Sequence, residues 1–243
     1  LAAMLDGVAP LALATVAETA YVGRLGVPAL AGMALVFPMV MLQTMLSGGA
    51  MGGGVASAVS RALGAGEPER ANALAVHAMW IGLGAGALNG ALMLVFGPAI
   101  YAGLGGRGEA LEQAVAYSNV AFCGALGVWL MNTLASVLRG GGNMGVPSAT
   151  YLLVSVAQVA IGGALGLGLG PLPRLGMPGV AAGQAIAYTA GAAFLFWYLR
   201  SGRSAVGLPV RGVPLQRGLF ADILRVGALA CISPLQTVLT VLI

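Results

Sequence analysis

Seven stretches of the chain are apolar over a length that can cross the ~30 Å hydrocarbon core of a bilayer. They run at approximately 3–23, 30–57, 73–100, 113–138, 147–169, 177–199 and 221–243. Glycine and proline punctuate the gaps, at Gly23 to Pro28, Gly64 to Pro68, Gly103 to Gly108, Gly140 to Asn143 and Gly170 to Pro173. The pattern predicts an all-α polytopic membrane protein, a six-helix transmembrane bundle plus a seventh helix. Gly82, Gly86 and Gly90 recur every fourth residue in the third stretch. That ridge predicts a tight helix crossing, because small residues let backbones approach in lipid.

Composition sharpens this reading. The 243 residues are 59% hydrophobic and 7% charged, with a mean hydropathy of +0.94. Soluble domains average about 25% charged residues. The eleven basic residues are all arginine and are spread along loops, so the net charge of +4 does not point to nucleic acid. Cys123 and Cys231 are isolated in apolar segments and read as small packing residues. No basic region precedes Leu1, so the first stretch does not read as a cleavable signal, and the chain as a whole reads as a fragment.

Arginine asymmetry sets direction. Loops on one side hold Arg61, Arg70, Arg139, Arg200, Arg203, Arg211 and Arg217, against Arg24, Arg107 and Arg174 on the other. This places the amino terminus in the cytoplasm of an inner-membrane protein. The expected organisation is a lobe at 1–199, a cytoplasmic linker at 200–218 and a further helix at 219–243. Arg24-Leu25-Gly26-Val27-Pro28 is echoed by Arg174-Leu175-Gly176-Met177-Pro178. The echo fits either a trace of duplication or a shared way of starting a helix.

Few residues can carry chemistry. His77 is the single histidine, and no glycine run is followed by the lysine of a phosphate-binding loop. No enzyme constellation is visible. Glu18, within the apolar stretch Val8 to Val22, stands out. An ionised side chain at a bilayer centre costs about 2.5 kcal/mol or more, so such a residue is a functional candidate by default. Burial favours its neutral acid and a bound cation favours its anion. Thr15 and Tyr21 stand three residues to either side and share its face. Asp6, roughly 18 Å along the axis and about 120° around it, cannot pair with Glu18 on one helix.

Gln43, Asn132, Gln158 and Gln184, with Asn89 and Asn119, also fall inside apolar stretches. Individually such amides read as interhelical glue; together they suit a weakly polar chamber. Met33, Met39, Met41, Met45 and Met51 read as packing, although methionine suits an adaptable pocket.

Ala17-Glu18-Thr19-Ala20-Tyr21-Val22-Gly23-Arg24-Leu25-Gly26 resembles the end of the first helix in the multidrug and toxic compound extrusion family. Ser60-Arg61-Ala62-Leu63-Gly64-Ala65-Gly66 and Leu138-Arg139-Gly140-Gly141-Gly142 resemble its cytoplasmic turns after helices two and four, structural or gating elements. Leu175-Gly176-Met177-Pro178-Gly179-Val180-Ala181 resembles its entry to helix six. The resemblance implies half of a twelve-helix transporter, whose missing second lobe belongs to the same polypeptide. It implies a cation-coupled antiporter that uses proton or sodium, needs no cofactor, and exports small amphipathic or cationic compounds by alternating access across the lipid bilayer.

By that resemblance Glu18 replaces a helix-one aspartate as the ion or substrate site. A helix-five Asn and Asp become Gln158 and Gly162, which weakens the case for a multi-ligand sodium site near Glu18. A lipid-linked oligosaccharide flippase is the alternative, and would need arginines in the cleft. A non-transporting scaffold is the third reading, and would leave Glu18 facing lipid.

Overall fold

Inside a bilayer every backbone N–H and C=O must find its partner within the segment, so long apolar runs become helices. The structure, a computed structural model, describes residues 8–169, 173–209 and 212–242. Asp6 and Arg211 lie outside the described residues. The elements are α1 (Val8–Leu25), α2 (Val27–Thr44), a π-helical segment (Met45–Met51), α3 (Gly52–Gly64), α4 (Pro68–Gly103), α5 (Gly108–Cys123), α6 (Ala125–Gly140), α7 (Gly145–Leu167), α8 (Met177–Arg200), α9 (Arg217–Ala230) and α10 (Ile232–Leu242).

Among the described residues, five spans are long and apolar enough to cross a membrane: Val27–Gly64, α4, α7, α8 and Arg217–Val238. The bent pair α5–α6 makes a sixth if it is one span. The first apolar stretch appears as the 18 residues of α1.

Three breaks depart from the expected straight spans. The second stretch holds the π segment, where the Gly52 N–H reaches back to Ser47 O, one residue further than in an α-helix. The fourth bends by 48° between Cys123 and Ala125. The apolar run is continuous there, so the pattern carried no warning. Gly124, at the bend, lets the pair lie close against α8, since a Cβ on it would lie 2.5 Å from Ala185 Cβ. The seventh breaks at Cys231, four residues after Gly227 and three before Pro234. A proline ring clashes with the carbonyl four residues earlier, here that of Ala230, the last residue of α9.

The glycine ridge packs as its spacing predicts. A Cβ on Gly82 would lie 2.8 Å from Thr133 Oγ1, one on Gly86 3.0 Å from Trp129 Cβ, and one on Gly90 2.9 Å from Phe122 O. α7 and α8 meet still more closely, where a Cβ on Gly183 would lie 2.5 Å from Gly162 Cα. The echoed turns share one device. Gly26 (φ +119°) and Gly176 (φ +64°) take backbone angles that side chains disfavour, and a proline follows in the first turn of α2 and of α8. One part of the core centres on Val128, Met131, Leu134 and Leu138 of α6. Another gathers Tyr101, Tyr117, Phe122 and Met177.

The connection after α8 is docked, where a polar linker was expected. Val206 and Leu208 are buried. The Gly207 N–H donates to Asn72 Oδ1 at 2.7 Å. The Gln216 N–H donates to His77 Nε2 at 2.8 Å, and His77 Nδ1 lies 2.7 Å from Ala73 O. With Nε2 accepting, Nδ1 is the ring nitrogen placed to donate, to Ala73 O. Phe220 packs edge-on against the ring at 4.7 Å. Arg70 bridges Glu67 (3.0 Å) and Asp222 (2.8 Å), tying the start of α4 to α9.

Candidate functional site

A cavity of about 240 Å³ opens between α1, α2, α5, α7 and α8. Its residues repeat at helical spacing, which is why single faces of these helices meet there. α1 contributes Ala14, Thr15 and Glu18. α2 contributes Met33, Phe37, Val40, Met41 and Thr44, and Met45 follows at the start of the π segment. Tyr117 comes from α5, Gln158 from α7, and Gln184 and Tyr188, one turn apart, from α8.

Glu18 is the one charged residue in this wall. It is 9% exposed and points into the bundle rather than to lipid. Its Oε1 accepts a hydrogen bond of 2.5 Å from Gln158 Nε2. An amide donor serves a carboxylate oxygen and equally the carbonyl oxygen of a neutral acid, so this contact survives either protonation state. Across the cavity, Tyr117 OH donates to Gln184 Oε1 at 3.4 Å. The remaining lining is thioether, aromatic and aliphatic, with Thr15 and Thr44 among it. Such a wall adapts to flat or irregular apolar ligands, and its single carboxylate prefers a cation.

The structure thus brings Glu18, Thr15, Gln158 and Gln184 together. Asn132 is elsewhere. Its Nδ2 donates to Ser47 Oγ at 2.6 Å, and its Oδ1 accepts from Tyr151 OH at 2.6 Å. Ser136 and Arg139 extend that cluster: Arg139 Nη2 donates to Ser136 Oγ at 3.0 Å, and its guanidinium sits 5.8 Å over the Tyr151 ring. Tyr21 packs against α7, where a Cβ on Gly163 would lie 2.8 Å from its ring. Gln43 is buried outside the cavity, and its Oε1 has no hydrogen-bond partner among the described residues. Asn119 is exposed and Asn89 half-buried.

Of the turn residues, Arg61 Nη1 donates to Ser57 Oγ, and Gly66 takes φ +74°. Gly140 lets α6 end against α3, since a Cβ there would lie 2.7 Å from Ala56 O. Gly64 stands in open space, and nothing in the structure requires glycine there. Cys123 is exposed, contrary to the packing role expected of it.

Sequence reasoning missed Phe37, Tyr117 and Tyr188, and read Met33, Met41 and Met45 as packing. A signal existed. Met33, Phe37, Met41 and Met45 form one stripe at four-residue spacing, and Tyr188 lies one turn beyond Gln184. No arginine lines the cavity among the described residues.

The fold is shared with known proteins. Solved structures superpose closely: a MOP superfamily transporter from Pyrococcus furiosus matches with a TM-score of 0.87 at 28% identity, over 96% of this chain and 50% of that one. An outward-facing multidrug resistance MATE transporter matches with the same TM-score and identity, over 96% of this chain and 51% of that one. A probable multidrug resistance protein NorM from Thermotoga maritima is 27% identical over 214 residues, 87% of this chain and 45% of its own length. An FAD transporter from Shewanella oneidensis is 26% identical over 167 residues, 69% of this chain and 37% of its own length. The chain therefore spans about half the length of the solved transporters and less than half of these two relatives. A family model described as MatE matches residues 10–163, a segment running from before Glu18 to beyond Gln158. The chain, three-fifths of it within that match, belongs to the MatE family.

Proposed function

We propose that the chain is the first lobe of a cation-coupled antiporter that exports amphipathic, often cationic compounds by alternating access. Residues 1–199 form this lobe, 200–218 the cytoplasmic connection, and 219–243 the first helix of a second lobe. The protein lies in the inner membrane with its amino terminus in the cytoplasm. The observation that carries the reading is the Glu18 carboxylate, held by Gln158 at the wall of a cavity with no other charged residue.

Proton and substrate compete for that carboxylate. In one orientation the neutral acid leaves the wall uncharged and releases a cation. In the other, loss of the proton restores the charge that binds one. A proton suits the site better than sodium. Sodium needs several oxygen ligands. Gln158 turns its nitrogen toward Glu18, and Asn132 is engaged with Ser47 and Tyr151.

The FAD-transporting relative raises a second reading, an anionic dinucleotide substrate. A lone carboxylate and no arginine in the wall oppose it, and the same absence opposes a pyrophosphate-bearing lipid. The test is Glu18→Gln in the complete coding sequence. We expect normal membrane insertion with export reduced to the level of cells lacking the transporter, and partial activity in Glu18→Asp. Wild-type drug resistance in Glu18→Gln would overturn the reading.

A further inference from the structure

Behind the cavity wall, on the opposite face of α8, the surface is notched. The 48° bend between α5 and α6 leaves a groove against α8 and the middle of α4. Two hollows there, of about 410 and 650 Å³, run into one another and share Cys123, Gly124, Thr189 and Ala193. The walls are otherwise Leu, Met, Phe, Ile, Val, Ala and Gly. The one hydroxyl, Thr189 Oγ1, donates to Ala185 O at 2.7 Å within its own helix. The groove therefore offers a ligand no unsatisfied hydroxyl.

We propose that this groove binds one acyl chain of a bilayer lipid. The course of the chain argues for lipid rather than for the rest of the polypeptide. α9 and α10, which lead onward, pack on α2, the π segment, α3 and α4 rather than on α5, α6 and α8. On α4, α9 meets Arg70 and His77 near the start of the helix, and Met79 and Leu83 line the groove. The lining belongs to α4, α8 and the bent pair α5–α6, which are long and apolar enough to cross a membrane, the bent pair if it is one span, so hydrocarbon is the medium expected to meet it. An unfilled notch forfeits the dispersion contacts of its lining atoms, and a flexible acyl chain restores them.

The position has a functional edge. Ile186 and Thr189 face the groove, while Gln184 and Tyr188 of the same two turns face the cavity. Val120 and Cys123 likewise back Tyr117 on α5. An acyl chain seated there braces both helices from behind. The inference does not depend on Glu18 or on the coupling ion.

The test is native mass spectrometry of the complete transporter, purified in mild detergent with added palmitoyl-oleoyl phosphatidylglycerol. Ala193→Trp fills the groove and should retain one lipid fewer than wild type under activation that strips loosely held lipid. Cys123→Phe, at an exposed position, should do the same and serves if Ala193→Trp does not fold. Val156→Trp, on the exposed face of α7 outside the groove, should retain the wild-type number. Equal retention in wild type and both groove variants, or no retained lipid in any, overturns the proposal. So does a dimer that both groove variants abolish, which would assign the groove to a second copy of the chain.

Discussion

Two buried polar clusters stand in this chain, each built of amide and tyrosine hydroxyl groups beside one charged group, a carboxylate in the first and a guanidinium in the second. One joins Glu18 to Gln158 and Tyr117 to Gln184; the other joins Ser47, Asn132 and Tyr151, with Ser136 and Arg139 beside them. The first borders about 240 Å³ of open space. The second is packed shut: a Cβ on Gly48 would lie 3.4 Å from the Asn132 amide, and one on Gly52 only 2.5 Å from Ser136 Oγ. Polar residues in a hydrophobic span therefore have two uses. Where every donor and acceptor is consumed by a neighbour, they weld helices. Where volume is left beside them, they can meet a ligand.

The contrast can be broken most directly by chemistry. Thr44→Cys and Tyr188→Cys should react with a small hydrophilic maleimide, and Ser136→Cys should not, because a thiol must be reached to be modified. Equal labelling of the three would erase the distinction. Next in size is stability. Asn132→Leu takes the acceptor from Tyr151 OH and one of the two side-chain contacts from Ser47, which still donates to Gln43 O, at a cost of about 1–3 kcal/mol. Its thermal unfolding should fall well below that of Glu18→Gln, which keeps the side chain's size and an oxygen that can accept from Gln158. Gly183→Val should cost about 1–3 kcal/mol by overpacking. It should also loosen substrate binding, because it pushes α8, with Gln184, away from α7, with Gln158; a fluorescent-substrate titration reads this. Smallest is His77→Phe, expected to cost about 1 kcal/mol by stranding the Gln216 N–H. It should speed amide exchange at Gly207 and Gln216 without altering cavity labelling.

How far the sequence could be read follows from the same contrast. Glu18, Gln158 and Gln184 are visible because each interrupts an apolar run. Asn132 interrupts one equally well, and nothing local says that its face meets Ser47 and Tyr151 instead of the cavity. Which faces meet is set by helix rotation and crossing, which the linear pattern does not carry. The ridge at Gly82, Gly86 and Gly90 is the exception, since four-residue spacing encodes its own contact face. The break at Gly124 is hidden by the evenness of the apolar run around it. The docking of Val206 and Leu208 is hidden because two apolar residues make no period. Tyr117 and Tyr188 passed unnoticed because an aromatic ring is an ordinary core residue until a void appears beside it.

The π segment has a consequence for evolution along this span. One surplus residue between Met45 and Met51 rotates everything downstream by about 100° relative to an uninterrupted α-helix. Upstream, Met41 and Thr44 look into the cavity; downstream, Gly54 abuts α9, with its Cβ position 2.8 Å from Gly227 N. Deleting the exposed Gly49 would rewind the spiral and swing Val55, Ala58 and Val59 out of the buried interior. A single-codon deletion there would thus act on the far half of the rod, at a distance from the site of the change. The insertion works as a phase shifter, letting one continuous rod serve two neighbours whose directions no regular winding could satisfy at once.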